Sequence, residues 1–402
     1  MVAWARKGRL MAACAVLTLA ACASGKTSGV PSASRSIPSL GDVPTVQAFT
    51  QAPPFVEPHT RTVIEDVEKL AHPILIYEGK APAEYELPIV SSRYYALWDT
   101  NDVHRASIYE RDTGNLVREV SIPNDARRYL GRILFTGTDA FVVDSPDLAD
   151  RNTETGKISR LDLLTGASTE VAPPAGLDWS YLPETIAEHD GTIVAMAQKP
   201  GTREPCLAKI EGTTASAITC WSGSLSDRLS IMPGHVSSLV WPSDDPDLCT
   251  QLHLTSLEGK TREMGDRRHC RSYDGVTLHG WDVWSSSDVG VISQSTVYAD
   301  GSGQHLQLSR KNNQSGSMAV CGEATYWKTG FHSQGKRTYA LMRWVPGMEN
   351  VEMIFRTEPE FLLSPPRCNE GILSFDVARH YDPEFGTRSR IYYLDTRELD
   401  RQ

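Results

Sequence analysis

Short apolar runs separated by turn-forming residues recur along most of the chain beyond residue 70. The stretch Ala106–Val120 reads as two strands joined by the polar turn Arg111–Gly114. Asp112 can accept hydrogen bonds from nearby backbone N–H groups and Gly114 can adopt a positive φ, so this turn is expected to close a β-hairpin. Looser copies are Ile158–Val171 and Ile391–Leu399. The repetition predicts an all-β domain.

The strand runs fall into groups about 48 residues apart, a spacing typical of the four-stranded blades of a β-propeller. They predict seven blades, with six or eight as alternatives because the phasing is ambiguous beyond residue 270. The segment 73–78 has no evident partner nearby, and the last hairpin leaves no room for an outer strand. Pairing of 73–78 with 391–395 would therefore close the ring. Two stacked β-sandwiches are the rival architecture, but no linker marks the middle of the domain.

One segment departs from the strand pattern. Thr60–Leu70 carries apolar residues at helical spacing, which predicts a short helix of about two turns.

The hairpins resemble the repeats of known propellers. The sequences IYERDTGNLVREV (108–120) and ISRLDLLTGASTEV (158–171) are similar to the repeat of pyrroloquinoline-quinone-type propellers, and TVYADGSGQHLQL (296–308) is similar to the Asp-Gly turn of TolB-type propellers. The resemblance implies a propeller fold. Outer-membrane assembly lipoproteins are quinone-type propellers, so it also implies a scaffold role at the cell envelope.

The N-terminus predicts export. Three basic residues within the first nine precede the apolar run Leu10–Ala21, and small residues follow, as in a secretory signal peptide. This run of twelve residues is shorter than the roughly 20 that span a bilayer as a helix. The ending Leu19–Cys22 resembles the lipobox of bacterial lipoproteins, which implies that Cys22 becomes the first residue of the mature chain and carries acyl chains such as palmitate. An ordinary signal peptide with a chance cysteine is the alternative.

Three regions follow from this pattern. Residues 1–21 are predicted to be the signal peptide, 22–58 the lipid anchor and a disordered tether rich in Ser, Pro and Gly, and 59–402 a single propeller domain. The expected location is the extracytoplasmic face of a cell membrane.

The net charge limits the classes of partner. It is −10 for the full chain, and loss of the leader, which has three basic and no acidic residues, gives −13. Nucleic acids and anionic lipid surfaces require a basic footprint, so neither is expected as a partner apart from the membrane contact of the anchor.

Six cysteines remain after the leader and the anchor, an even number that suggests disulfides in an exported protein. Sequence neighbours predict Cys206–Cys220 and Cys249–Cys270, which leaves Cys321–Cys368 by elimination. A zinc site is the alternative, but the chain has no CxxC motif and no clustered histidines.

Signatures of catalysis are absent from the sequence: HExxH, G-x-S-x-G, P-loop and G-x-G-x-x-G motifs do not occur. Asp150, Asn152 and Glu154 alternate like the start of a calcium loop, although a solvated loop is the simpler interpretation. No other cofactor is predicted. Ser272–Gly275 resembles a sialidase Asp-box but lacks the spacing of one, and such boxes are structural turns rather than functional sites.

Two functions remain open. The favoured one is a non-catalytic binding or scaffold protein that contacts a protein, peptide or glycan, with the insertion Ser145–Gly156 as the most informative region. Trp221, Trp241, Trp281 and Trp284 could bind such a ligand, but packing between blades is preferred. The alternative is an extracellular enzyme, either a polymer-degrading hydrolase or lyase or a quinone-dependent dehydrogenase. An enzyme would need charged residues converging at the channel, whereas a docking protein would need an exposed apolar patch.

Overall fold

The structure is a computed structural model. It describes residues 59–79, 89–99, 102–123, 125, 127–146, 155–180, 185–202, 204–222, 224–241, 251–265, 271–287, 295–309, 314–333, 336–359, 361–379 and 387–401. In this part of the chain, no helix is long and apolar enough to cross a membrane.

Seven β-sheets follow one another along the chain and form the blades of a β-propeller, as predicted. Three elements precede the first blade: β1 (His59–Thr62), α1 (Ile64–Glu68) and β2 (His72–Gly79). Blade 1 is formed by β3 (Tyr94–Trp98), β4 (Arg105–Glu110) and β5 (Leu116–Ser121). Blade 2 is formed by β6 (Arg128–Thr136), β7 (Asp139–Pro146), β8 (Lys157–Asp162) and β9 (Ser168–Glu170). Blade 3 is formed by β10 (Asp178–Trp179), β11 (Ile186–His189), β12 (Thr192–Gln198), β13 (Pro205–Glu211) and β14 (Thr214–Cys220).

The second half of the ring holds blades 4 to 7. Blade 4 consists of β15 (Ser224–Met232), β16 (His235–Trp241), β17 (Gln251–Ser256) and β18 (Thr261–Met264), and blade 5 of β19 (Arg271–Leu278), β20 (Trp281–Ser287), β21 (Thr296–Gly301) and β22 (Gln304–Gln307). Blade 6 consists of β23 (Gln314–Cys321), β24 (Ala324–Ser333), β25 (Lys336–Trp344) and β26 (Asn350–Arg356), and blade 7 of β27 (Phe361–Leu363), β28 (Arg367–Asn369), β29 (Ile372–Arg379) and β30 (Thr387–Asp395). The short helix α2 (Thr396–Leu399) follows.

The N-terminal strand closes the ring. The antiparallel pairing of β2 with β30 runs from His72 opposite Tyr393 to Gly79 opposite Thr387, so the last blade is completed by a strand from the start of the domain. This confirms the predicted closure. Pro73 is tolerated because β2 is an edge strand, where a missing backbone N–H leaves no partner unsatisfied.

The predicted helix over 60–70 is only partly correct. His59–Thr62 forms a fifth strand on blade 6, parallel to β26, and the helix is confined to Ile64–Glu68. The free edge of β26 offers backbone partners to this segment, and these outweigh the local helical spacing. The buried side chain of Val67 packs in the cluster that also contains Leu341 and Phe375.

Apolar side chains fill the space between neighbouring blades. One cluster spans blades 1 to 3 and includes Ile108, Phe135 and Ile193, and another spans blades 4 to 6 and includes Val276 and Trp327. Several strands are buried along most of their length, among them β7, β12 and β25, because both of their faces pack against neighbouring blades.

Two of the three predicted disulfides are present. Cys206–Cys220 joins the paired strands β13 and β14 within blade 3, and Cys321–Cys368 joins the innermost strands β23 and β28 of blades 6 and 7. Cys249 and Cys270 lie outside the described residues.

The hairpin turns differ in detail from the prediction. In the Ile158–Val171 hairpin, Asp162 accepts hydrogen bonds from the backbone N–H groups of Leu164 (2.8 Å) and Thr165 (2.9 Å). In the Ala106–Val120 hairpin, the hydroxyl of Thr113 has this role, since it accepts from the N–H of Asn115 at 3.2 Å, while Asp112 accepts from Arg111. The predicted positive φ of Gly114 is present, at 69°.

Candidate ligand site in the central channel

The innermost strands of the blades surround the axis of the propeller. Around the ring, β6 contacts β11, β11 contacts β15, β15 contacts β19, β19 contacts β23, and β23 contacts β28. Side chains that these strands direct away from the blades therefore meet in a central channel, the usual place for a ligand in a ring-shaped fold.

Four of these inner strands have an irregular register. The shifts fall between Leu130 and Arg132 in β6, between Leu225 and Leu229 in β15, between Ser272 and Asp274 in β19, and between Gly316 and Met318 in β23. Such bulges re-aim side chains and are common next to binding sites. Here the residues that follow the shifts line one cavity.

The cavity has a volume of about 80 Å³ and receives polar side chains from five blades. These are Arg132, Ser230, Asp274, Ser317 and Arg367. Leu229, Met318, Pro365 and Pro366 form the apolar part of its wall. The site thus combines two guanidinium groups, one carboxylate and two hydroxyls with an apolar surface.

Asp274 holds the inner strands of blades 4, 5 and 6 together. Its Oδ1 accepts hydrogen bonds from Ser230 Oγ at 3.2 Å and from the N–H of Gly275 at 2.9 Å, and its Oδ2 accepts from the N–H of Met318 at 2.6 Å. The bulge in β23 makes the last contact possible, because it changes the direction of the Met318 N–H. Asp274 is 5% exposed, and hydrogen bonds to a buried carboxylate of this kind stabilise its charge.

A second polar group lies two residues farther along β28. The side-chain amide of Asn369 donates to the carbonyl of Phe135 at 2.9 Å and also to Glu188 Oε2, and its Oδ1 accepts from the Phe135 N–H at 3.3 Å. Glu370 accepts from the N–H of Gly137 at 2.5 Å and from the N–H of Ser92 at 3.2 Å. We call Glu188, Asn369 and Glu370 the inner-ring network; it joins blade 7 to blades 1, 2 and 3.

Burial changes the acidity of Glu188. Desolvation raises its pKa to about 7, although hydrogen bonds from Gly191, Asn369 and Glu370 act in the opposite direction, and the charge of Glu370 raises the pKa further. The side chain is 3% exposed. A carboxyl group therefore titrates near neutral pH inside the ring.

None of the sequence-predicted site residues lines this cavity. Cys22 and the calcium candidates Asp150, Asn152 and Glu154 lie outside the described residues. Within the described ranges, no group of three or more His, Cys, Asp or Glu side chains is arranged to hold a metal ion.

Three of the four tryptophans considered as ligand-binding residues pack in the core. Trp281 is 5.3 Å from Trp344 in an edge-to-face arrangement, and Trp284 stacks on Tyr298 at 5.9 Å between ring centres. Trp221 is partly buried and packs beside Ile231 and Val236. Packing between blades, the preferred interpretation, accounts for these three.

Exposed apolar residues are scattered in the part of the chain that the structure describes. The large ones are Leu116, Leu164 and Met348, which belong to blades 1, 2 and 6.

Sequence reasoning missed the channel residues. Arg132 interrupts the apolar run Leu130–Phe135, and a charged residue inside a buried strand is a signal that could have been used. Asp274 drew notice only through the likeness of Ser272–Gly275 to an Asp-box, whose spacing it lacks; in the structure it lies in Arg271–Leu278, the inner strand of blade 5.

No protein-family model matches the chain, and neither does any curated protein. Solved structures match it in fold. The β-propeller domain of the Trilobed protease from Pyrococcus furiosus, described as having an open velcro topology, is 11% identical with a TM-score of 0.52 over 80% of this chain and 95% of that domain. In the present chain, by contrast, β2 pairs with β30 and closes the ring.

Two peptidases are also similar. Acylaminoacyl peptidase from Pyrococcus horikoshii is 10% identical with a TM-score of 0.50 over 82% of this chain and 52% of that one. Dipeptidyl peptidase 4 from Porphyromonas gingivalis is 12% identical with a TM-score of 0.49 over 74% and 51%. The chain thus spans about half the length of these peptidases. At 10% and 11% identity, the likeness to the Pyrococcus horikoshii peptidase and to the Trilobed protease domain establishes the propeller fold alone.

Proposed function

We propose that this protein is a lipid-anchored extracytoplasmic binding protein whose ligand occupies the central channel of the propeller. One observation carries the proposal: the inner strands of five blades, four of them with a shifted register, direct polar side chains into a single cavity. A cavity with a few convergent polar groups and an apolar wall is the usual form of a small-ligand site.

The size of the cavity limits what can enter it. A volume of about 80 Å³ admits a small group rather than a folded partner. The ligand is therefore a small molecule, or one residue or terminus of a peptide or glycan.

Binding in the channel can be tested by filling the cavity. We expect at least one member of a panel of short peptides and oligosaccharides, acidic and neutral, to bind the domain in isothermal titration calorimetry. Ser230→Phe places a large side chain in the cavity and should weaken that binding at least tenfold. Ser168→Phe on the exposed edge strand β9 is the matched control and should leave it unchanged. Equal binding by the Ser230→Phe protein, with its circular dichroism intact, would overturn the proposal.

The membrane anchor is proposed from the sequence around Cys22. Acylation at this residue would hold the domain at the membrane, and stable anchoring requires more than one acyl chain. When the full chain is expressed in a bacterial host, Cys22→Ser should move the protein from the membrane fraction to the soluble extracytoplasmic fraction. Cys14→Ser, within the leader, should not. Retention of Cys22→Ser in the membrane would refute the anchor.

An enzyme is the second candidate, favoured by the pKa of about 7 at Glu188. A group with such a pKa is suited to proton transfer at neutral pH. Its oxygens, however, already accept hydrogen bonds from Gly191, Asn369 and Glu370, which fits a structural role better. Incubation with the same peptides and oligosaccharides, followed by mass spectrometry, would distinguish the two: cleavage that Glu188→Gln abolishes would identify an enzyme.

A further inference from the structure

The innermost strands of blades 2 to 7 run in one direction along the channel, so its two ends differ. Each of these strands passes into the second strand of its blade through a tight turn, at 137–138, 190–191, 233–234, 279–280, 322–323 and 370–371. We call this end of the channel the turn face, and the end at which the innermost strands begin the start face. Pro146 pairs with Arg128 at the beginning of β6, so the insertion that follows β7 leaves from the start face.

A segment of blade 7, Pro365–Gly371, lines the cavity and then continues to the turn face; we call it the channel strap. Its first three residues form part of the cavity wall. Pro365 and Pro366 have no backbone N–H to donate, and they separate the pairing of β27 with β29 from that of β28 with β29. The disulfide between Cys368 and Cys321 fixes the middle of the strap to the innermost strand of blade 6.

The far end of the strap reaches across the channel. The Asn369 side chain donates a hydrogen bond to Glu188 Oε2, and the backbone N–H of Glu370 donates to the same oxygen at 3.3 Å. Glu188 belongs to blade 3 and, in a ring of seven blades, blades 3 and 4 are the farthest from blade 7. Contacts between blades 7 and 3 therefore have to cross the axis of the channel.

Further contacts hold the strap to blades 1 and 2. Asn369 exchanges two hydrogen bonds with the backbone of Phe135, at 2.9 Å and 3.3 Å. Glu370 accepts from the N–H of Gly137 at 2.5 Å and from the N–H of Ser92, just before blade 1, at 3.2 Å. The strap is thus attached to blades 1, 2, 3 and 6 as well as to its own blade.

The inner-ring network lies on the turn-face side of the cavity. In β6, Arg132 of the cavity wall comes before Phe135, and in β28, Arg367 comes before Asn369. Because both strands run toward the turn face, the network separates the cavity from that end of the channel.

The backbone of Glu370 is unusual for its residue type. Its φ is 51° and that of Gly371 is 76°, a pair of positive values typical of a type I′ turn, where Asn, Asp or Gly is the usual first central residue. A glutamate costs conformational energy at this position. Its carboxylate, however, makes the contacts to blades 1 and 2 that a glycine could not make.

We propose that the channel strap is the floor of the cavity, so that a ligand enters from the start face alone and inserts a free end rather than an internal segment of a chain. The proposal deepens the proposed function and rests on it. A channel open at both ends accepts a threaded chain, whereas a channel with a floor accepts only what fits between the floor and the entrance. The ligand is then a small molecule or the end of a peptide or glycan.

Access to the cavity can be measured without a ligand. Ser230→Cys places a thiol in the cavity, and its reaction with methyl methanethiosulfonate can be followed by mass spectrometry of the peptide that contains residue 230. An azido amino acid in place of Arg127 or Glu323 can be coupled to biotin and then covered with streptavidin. Arg127 lies before β6 at the start face, Glu323 follows β23 at the turn face, and their side chains are 61% and 64% exposed.

The two blocked proteins should differ. Streptavidin at 127 should slow the reaction of the thiol several-fold, because it covers the entrance, whereas streptavidin at 323 should leave the rate unchanged. A slower reaction with the block at 323 would overturn the proposal, and so would an unchanged rate with the block at 127.

Opening the floor should abolish the protection. Asn369→Ala with Glu370→Gly removes the side-chain bonds of the strap to blades 1, 2 and 3, and glycine accommodates the positive φ. With streptavidin at 127, the thiol of this variant should react at nearly the unblocked rate, because the reagent now enters from the turn face. Asn115→Ala on the exposed hairpin of blade 1 is the control and should retain the protection.

A milder variant covers the case in which the double variant does not fold. Glu370→Gly alone keeps the hydrogen bonds of Asn369 and should lose part of the protection. Full protection in a folded variant of either kind would show that the strap is not the floor.

Paired probes test insertion by a chain end. Maltohexaose and α-cyclodextrin each contain six glucose units, but only the linear sugar has ends. A linear hexapeptide of alternating glycine and serine and its head-to-tail cyclic form are the corresponding peptide pair. In isothermal titration calorimetry, the linear member of a pair that binds should bind about tenfold more tightly than the ring, or better. A ring that binds as tightly as its linear counterpart, at a site that Ser230→Phe abolishes, would overturn end insertion while the channel function stands.

The failures of the two proposals can be told apart. If neither these probes nor the panel of peptides and oligosaccharides bind in the channel, the proposed function fails and end insertion fails with it. The thiol measurements still decide whether the strap closes the channel, because they need no ligand.

Discussion

Glu188 makes the stability of the inner ring dependent on pH. Its pKa in the folded protein is about 7, raised by burial from the ordinary 4.5. Between these two values the folded protein binds more protons than the unfolded chain, so the unfolding free energy falls as pH rises. The contribution of Glu188 to the unfolding free energy is fully present below about pH 4.5 and is lost by about pH 7. Its upper limit is about 3 kcal/mol.

Urea unfolding at pH 5 and pH 8 measures this effect. The wild type should lose more unfolding free energy over this interval than Glu188→Gln, because the amide does not titrate. Glu170→Gln on the exposed strand β9 should retain the wild-type pH dependence. The same loss in wild type and Glu188→Gln would contradict the assignment.

Gly275 is required by the packing next to Asp274. A Cβ at this position would lie 2.3 Å from Leu252 Cδ2 and 2.6 Å from Met264 Sδ, both in buried side chains. Gly275→Ala should therefore lower the unfolding free energy by about 1–3 kcal/mol. Gly316→Ala on the neighbouring inner strand is the control, since its Cβ would meet only Ser285 Oγ at 3.7 Å and should cost little. Denaturant melts of both variants check this, and equal stabilities would show that the packing relaxes freely.

Individual channel residues were less predictable than the turns. Gly114 and Gly166 could be assigned positive φ because the hairpin pattern is local, and both have it. Arg132 and Asp274 meet only because blades 2 and 5 face the same axis, 142 positions apart in the numbering. A pairing of this kind depends on the closed ring, so no local pattern encodes it.

The two disulfides stabilise different levels of the fold. Cys206–Cys220 closes a sequence separation of 14 within one blade, and Cys321–Cys368 closes a separation of 47 between two blades. Loop-closure entropy predicts that removing the first costs about 3 kcal/mol and removing the second about 4 kcal/mol. Paired alanine variants compared by denaturant unfolding test this. A cost below about 1 kcal/mol for Cys321→Ala with Cys368→Ala would show that the link between the blades is redundant.

Strands and turns were largely readable from the sequence, but their irregularities were not. The short apolar runs between turn-forming residues, grouped about 48 residues apart, predicted the blades. The lack of space after Ile391–Leu399 predicted the closing strand. The shifts in β6, β15, β19 and β23 depend instead on partner strands, because one extra residue changes which side chain faces the channel. The site arises from these irregularities, which explains why the fold was more predictable than the site.

Closure of the ring involves both ends of the domain. β1 lies on blade 6 and β2 on blade 7, so the N-terminal segment crosses the outer edges of the last two blades. The innermost strands of the same two blades are joined by Cys321–Cys368. Blades 6 and 7 are thus held together on the inside by a covalent bond and on the outside by a continuous segment of chain.

Three truncations separate the roles of these elements. A chain that begins at residue 59 keeps all of them, one that begins at 71 loses β1 and α1, and one that begins at 80 also loses β2. Seven residue pairs join β2 to β30, and at about 1 kcal/mol for each hydrogen bond their loss should cost roughly 5 kcal/mol or more. We therefore expect a small decrease in melting temperature from the first chain to the second, and a large one, with aggregation through the exposed edge of β30, from the second to the third.

Adding the peptide 71–80 in trans should restore part of the loss, because the edge of β30 can pair with it again. If the chain beginning at 80 had the same melting temperature as the one beginning at 71, β2 would not be needed for closure, because blades 1 and 7 would already close the ring.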